Sequence, residues 1–214
     1  MKIDWQILID LIETFGVKLS SDKLEDFQIF HQLLLGWNQR VNLVSRQDID
    51  RLVSYHFIDS ISTIPEIPLN STVCDLGAGA GLPGIPIKII RNDITLYLIE
   101  SIKKKAYFLS EAIKELELKK SIVLNQRAET IKDIKFNVIL VRLFGKIPDV
   151  LSIASNLLSN KGKIIFYKIQ GVEKEIESAN NVANRYNFEL TAIKDIKLPI
   201  TDILRKLVIY KFVK

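Results

Sequence analysis

Ten consecutive residues, Asp75-Leu76-Gly77-Ala78-Gly79-Ala80-Gly81-Leu82-Pro83-Gly84, carry the strongest chemical signal in this 214-residue chain. Apolar residues precede them (Val73, Cys74) and follow them (Ile85, Ile87, Ile89, Ile90). An acid that closes a strand, then four glycines before a helix, make a loop whose backbone can approach a ligand closely. A Cβ there would block that approach and the φ > 0 conformations of a tight turn. Gly79 to Gly84 matches G-x-G-x-x-G, the pattern of dinucleotide sites. That frame starts late, because Asp75 ends the strand and Gly77 makes the first turn. In the earlier frame, Gly77-x-Gly79, the third glycine position holds Leu82. Glu100 ends the second predicted strand, and an acid there can take the ribose hydroxyls of either NAD or an adenosyl cofactor.

These residues need strands and helices to hold them. Residues 1 to about 65 read as helical, with a capping-box-like start at Asp22 and Glu25 followed by Leu24, Phe27, Phe30, Leu34 and Trp37. A second helix is expected from about Asp48, with Leu52, Val53, His56 and Ser60 on one face, and Pro65 and Pro68 close the region. From residue 71 strands alternate with helices. The predicted strands are 72–76, 95–99, 121–124, 136–141, 163–167, 188–195 and 205–213, and the predicted helices 86–91, 103–117, 148–158 and 172–186. Continuous apolar runs such as Val138-Ile139-Leu140-Val141 suit a parallel sheet covered on both faces. No helix separates the last two strands, so a turn near Pro199 and an antiparallel final pair are expected. The reading is a doubly wound α/β domain (66–214) with a helical N-terminal extension (1–65).

Composition narrows the classes. The chain is 48% hydrophobic and 26% charged, enough for a core and a solvated surface, and its net charge of +5 mildly favours an anionic partner. Its one cysteine, Cys74, excludes an internal disulfide and reads as a small buried core residue. Two histidines, His31 and His56, with no Cys/His cluster give no zinc site, so no metal is expected. Acids at Asp4, Asp10 and Glu13 do not suit a signal peptide, and Lys88 and Arg91 interrupt the isoleucine run, so neither export nor membrane insertion is expected. A cytoplasmic monomer is the expectation.

D-x-G-x-G with an acid ending strand two resembles class I S-adenosylmethionine-dependent methyltransferases. The wider chain resembles the RsmG (GidB) family of small-subunit ribosomal RNA guanine-N7 methyltransferases. The resemblance runs through Trp37-Asn38, Asn42-Leu43, His56-Phe57-Ile58-Asp59-Ser60, Asp75 to Gly84 with Pro86, and Glu100-Ser101. It continues through Lys104-Lys105, Phe108-Leu109, Arg127-Ala128-Glu129, Phe136 and Arg142. Tyr55, Asn137, Leu143 and Lys168-Ile169-Gln170-Gly171 depart from the family pattern.

The resemblance implies a Rossmann-like seven-stranded sheet with helices on both faces, S-adenosyl-L-methionine as cofactor, and 16S ribosomal RNA or the small subunit as partner. Asp75, Gly77, Gly79 and Leu82 would border the cofactor, Glu100 would hold its ribose, Ala128 and Glu129 its adenine, and Arg142 the place of methyl transfer. Guanine N7 has a free lone pair and no proton to lose, so its methylation needs alignment and no general base. Arg142 and Lys168 are the candidates for contact with the guanine O6 edge. After strand four, Arg142-Leu143-Phe144-Gly145 replaces the Asn/Asp-Pro-Pro-aromatic motif of exocyclic-amine enzymes, and Cys74 is misplaced for pyrimidine C5 chemistry. Lys104 and Lys105, cations opening a helix against its dipole, are candidates for RNA phosphate contact. His56 and Asp59 are expected to join the extension to the domain by a polar contact, and Trp37 to be core. Two rivals stay open: an NAD-dependent oxidoreductase, and a non-catalytic ribosome-binding protein on a methyltransferase fold.

Overall fold

The structure, a computed structural model, describes residues 5–198 and 204–213. These build a seven-stranded sheet: β1 (Thr72–Leu76), β2 (Thr95–Ile99), β3 (Ser121–Leu124), β4 (Phe136–Arg142), β5 (Leu158–Lys168), β6 (Phe188–Lys197) and β7 (Leu204–Phe212). The strand order is β3-β2-β1-β4-β5-β7-β6. The first five strands are mutually parallel, and β7 lies antiparallel to both β5 and β6. The expected antiparallel final pair is therefore present, whereas the turn expected at Pro199 lies outside the described residues. Because β1 is flanked by β2 and β4, the chain reverses direction across the sheet between β1 and β4, where open α/β sheets bind ligands.

Strand residues alternate between two cores, as the two-residue period of a pleated strand requires. Val73, Leu96, Leu98, Val138, Leu140 and Ile165 face a core shared with the helices α1 (Trp5–Glu13), α2 (Ser21–Asn38), α5 (Gly84–Ile90) and α6 (Lys103–Glu115). Cys74, Leu76, Ile139, Val141, Ile164 and Phe166 face α7 (Ile147–Ala154) and α8 (Glu173–Arg185). Phe27, Phe30, Leu34 and Phe57 from the amino-terminal helices belong to the same buried cluster as Val73 and Leu98.

Three local expectations are corrected. α2 begins two residues earlier, with Ser20 as its cap in place of Asp22: its side chain accepts from the Lys23 amide at 3.4 Å, and Asp22 and Glu25 form no capping box. In place of one helix from Asp48 there is a short helix α3 (Arg46–Ile49) capped by Ser45, a π-helical turn Leu52–Phe57, and a short helix α4 (Ile58–Ile61). α7 stops at Ala154 instead of Leu158. The Ser155 hydroxyl turns back onto the Ser152 carbonyl, and β5 starts at Leu158, paired with Phe136. A serine hydroxyl that competes for a backbone carbonyl favours the early stop.

Candidate cofactor site

Glycine loop and acid are assembled at the carboxyl ends of β1 and β2. The Gly77 and Ala78 amides both donate to the Ile99 carbonyl at 3.0 Å, which lays the loop across the end of β2. Gly77 and Gly79 take φ of +74° and +54°, conformations that L side chains rarely adopt. A Cβ on Gly77 would also overlap the ring of Phe144. Glu100 is buried and grips both sides of the site: Oε2 accepts from the Gly79 amide at 3.0 Å and Oε1 from the Ile102 amide at 2.7 Å. One carboxylate thus ties the glycine loop to the start of α6.

Between them lies a cleft of about 260 Å³. Leu76 and Gly77 at the end of β1, Glu100 to Ile102 after β2, Gln126 to Glu129 after β3, and Phe144 after β4 line it. Its volume falls just short of the roughly 300 Å³ where drug-sized pockets begin, a size that suits a nucleoside. Larger hollows lie along the outer face of α2 (about 920 Å³) and beside the amino-terminal end of β5 (about 730 Å³), and neither touches the glycine loop.

Of the cofactor-binding candidates, Gly77, Glu100, Ala128 and Glu129 line the cleft, and Gly79 joins it through Glu100. Asp75 and Leu82 do not. Asp75 lies behind the loop, where Oδ2 accepts from the Gly84 amide at 2.8 Å, and burial pushes its carboxyl up to about 7. A Cβ on Gly84 would stand 2.8 Å from that oxygen, so the close approach of acid and helix start depends on glycine. Leu82 packs into the core.

Arg142 is buried within a network of charges. Asp59, with no exposed surface, receives Arg205 through Nε (2.6 Å) and Nη2 (2.9 Å), and Arg142 through Nε (3.2 Å). Arg142 Nη2 also meets His56 Nδ1. A guanidinium can only donate, so Nδ1 accepts and the His56 proton sits on Nε2. That nitrogen lies 3.3 Å from Asp48 Oδ1 without hydrogen-bond alignment. Burial and the neighbouring Arg142 charge lower His56 to about 4, so it is neutral near pH 7. His56 and Asp59 therefore meet through Arg142 instead of bonding each other, and they join the amino-terminal helices to β4 and β7. Tyr55 serves the same knot, its hydroxyl accepting from Arg205 Nη2 at 2.7 Å.

Lys168 is likewise engaged: its Nζ is 2.7 Å from Glu175 Oε1, which also accepts from the Ile147 amide at 2.7 Å at the start of α7. Lys104 and Lys105 occupy the first turn of α6, next to Ile102 on the cleft rim. Trp37 is half-buried between α2 and α6, its ring centroid 5.6 Å from Tyr107 and 5.8 Å from Phe108. Cys74 is buried, its thiol raised well above the ordinary range by desolvation.

Phe144, Arg205 and Glu175 were not singled out by sequence. Phe144 had a signal in its place just after β4. Arg205, 146 residues from Asp59, had none.

Comparison with known proteins agrees with this geometry. The profile of the GidB family, described as rRNA small subunit methyltransferase G, matches residues 23–204. Ribosomal RNA small subunit methyltransferase G of Syntrophus aciditrophicus is 32% identical over 92% of this chain and 85% of its own length. The protein of the same name from Bacillus subtilis is 28% identical over 93% and 86%. Among solved structures, M. jannaschii TYW2 in complex with AdoMet superposes with a TM-score of 0.61 at 18% identity, covering 82% of this chain and 80% of that one. The precorrin-6y C5,15-methyltransferase of Geobacter metallireducens gives 0.52 at 10% identity over 80% and 91%, and both show the fold alone. Sheet order, the site at the switch point and the family match converge: the chain has the class I methyltransferase fold and belongs to the GidB family, the rRNA small subunit methyltransferases G.

Proposed function

We propose that the protein transfers the methyl group of S-adenosyl-L-methionine to N7 of a guanosine in 16S ribosomal RNA. The Glu100 carboxylate, fixed in the cleft wall by the amides of Gly79 and Ile102, is the observation that carries the cofactor half of this reading. It would accept the ribose hydroxyls, with Ala128 and Glu129 flanking the adenine and Gly77 and Gly79 bordering the methionine side. The cofactor supplies an electrophilic methyl group on a sulfonium. The protein's own task is alignment, because guanine N7 presents a lone pair and no proton. In this reading Arg142 and Lys168 position the site: Arg142 braces the end of β4, and Lys168 reaches the Gly145 carbonyl at 3.5 Å beyond Phe144. Lys104 and Lys105 contact RNA phosphates. The same reading has the protein working as a monomer in the cytoplasm.

Mass spectrometry of 16S RNA tests it directly, after small subunits from a deletion strain are incubated with the protein and S-adenosylmethionine. New 7-methylguanosine is expected; a methyl group elsewhere, or none, defeats the proposal. In calorimetry S-adenosylhomocysteine should bind and NADH should not, and Glu100→Gln should weaken binding at least about tenfold, the loss of a charged hydrogen bond. Lys104→Ala with Lys105→Ala should flatten the salt dependence of RNA binding by roughly 0.7–0.9 log units per phosphate contact removed. An unchanged slope would return both lysines to the solvated surface.

A further inference from the structure

Leu143 has no apolar partner to justify its position. It directly follows β4 and is 94% exposed, the most exposed large apolar side chain among the described residues. Its φ of +57° lies in the left-handed region, where a Cβ crowds the following carbonyl. The residues around it are placed quite differently. Arg142 is buried, Phe144 turns inward to lie on Gly77 and line the cleft, and Gly145 takes φ +68°. The loop therefore sends one ring into the cofactor cleft and one aliphatic side chain out beside it. Two more exposed apolar residues share this edge of the sheet: Ile102 (52%) in the cleft wall and Ile169 (60%), next to Lys168.

The reaction gives such an edge a use. In A-form RNA the groove that displays guanine N7 is deep and narrow, closed to side chains. Enzymes acting on a base solve this by taking it out of the stack, and apolar wedges such as leucine part the base steps. We propose that Leu143 is a wedge of this kind. It enters the RNA stack beside the methylated guanosine while that nucleoside turns toward the mouth of the cofactor cleft, on the side of Phe144. Stacking between bases then covers apolar surface that the free protein leaves in water, and the left-handed backbone is what aims it outward. The proposal rests on the RNA methylation read above. Because the edge is continuous with the cofactor cleft, the substrate base is the occupant it fits.

The test uses the full chain, Leu143→Ala, and a folded 16S fragment around the methylated guanosine, once that position has been found by mass spectrometry. 2-Aminopurine beside the guanosine reports unstacking in the presence of S-adenosylhomocysteine. The wild-type protein should raise its fluorescence, and Leu143→Ala should raise it severalfold less. The kcat/KM for the folded fragment should fall about tenfold, roughly 1.4 kcal/mol, with S-adenosylhomocysteine affinity unchanged. Equal fluorescence and turnover for the two proteins would overturn the wedge, as would a parallel loss of S-adenosylhomocysteine affinity. So would a defect seen with assembled subunits and absent with naked RNA, which would mark a protein contact. If the wild-type protein forms no 7-methylguanosine, the methylation reading fails instead.

Discussion

Asp59 is the single acid facing two arginines in a wholly buried setting, and the cost of disturbing it follows from that imbalance. Asp59→Ala would leave Arg142 and Arg205 buried without their carboxylate. Such a loss destabilises by about 3–5 kcal/mol, which urea midpoints at constant m would register. His56 adds a pH term. Its folded value near 4 lies below the ordinary 6.5, so between those pH values the unfolded chain takes up a proton that the folded chain refuses. Folded stability on this account falls as pH drops through that window, by about 3 kcal/mol at its foot. Asp75 acts oppositely: its value, raised from 3.8 to about 7, removes stability as pH rises through the same range. The two nearly mask each other in the wild type. Against His56→Gln, whose amide oxygen can still accept from Arg142, the wild type should lose stability from pH 6.5 to 4. Parallel stability curves would mean that the imidazole is not held neutral. His56, Asp59 and Arg142 all stood out in the sequence by type and place. Their mutual contact did not, because Arg205 completes it from β7, 146 residues beyond Asp59 along the chain.

The glycine loop works as an element through its neighbours. Gly77→Ala meets two obstacles, the φ of +74° and the Phe144 ring. It should cost S-adenosylhomocysteine more than about tenfold in affinity, because strain and displaced ring both fall on the cleft wall. Calorimetry on Gly77→Ala with Phe144→Ala separates these causes. Partial recovery assigns the loss to the ring, and no recovery assigns it to the backbone. The carboxyl ends of β1, β2 and β3 were readable in the sequence, since an acid or turn residue closes each. β5 starts five residues before the predicted 163, where Ser159, Asn160 and Gly162 mimic a loop. They bulge out of the ladder, which pairs Leu158 with Phe136 and resumes at Lys163 opposite Val138, a pairing that only the folded sheet supplies. Phe144 was hidden for the same reason: it meets Gly77 because β4 lies beside β1.

At the scale of the molecule, the amino-terminal helices and the sheet share one core. Phe57 is fully buried against Phe27 and Phe30, with ring centroids at 5.3 and 5.6 Å. Phe57→Ala should cost about 3–5 kcal/mol and still give one transition, coincident in near- and far-ultraviolet circular dichroism. Two separated transitions would show the helices melting alone. The alternation of strands and helices disclosed the layered architecture from sequence, but the packing of the extension is non-local and carries no periodic signature. The knot at Asp59 also has a consequence in time. During synthesis Asp59 emerges long before Arg205, 146 residues later. At about 5–20 residues per second that interval is roughly 7–30 s. Arg142 can meet that acid earlier, but until Arg205 follows the nascent helices carry a half-neutralised knot, so the fold can close only after synthesis has passed β7.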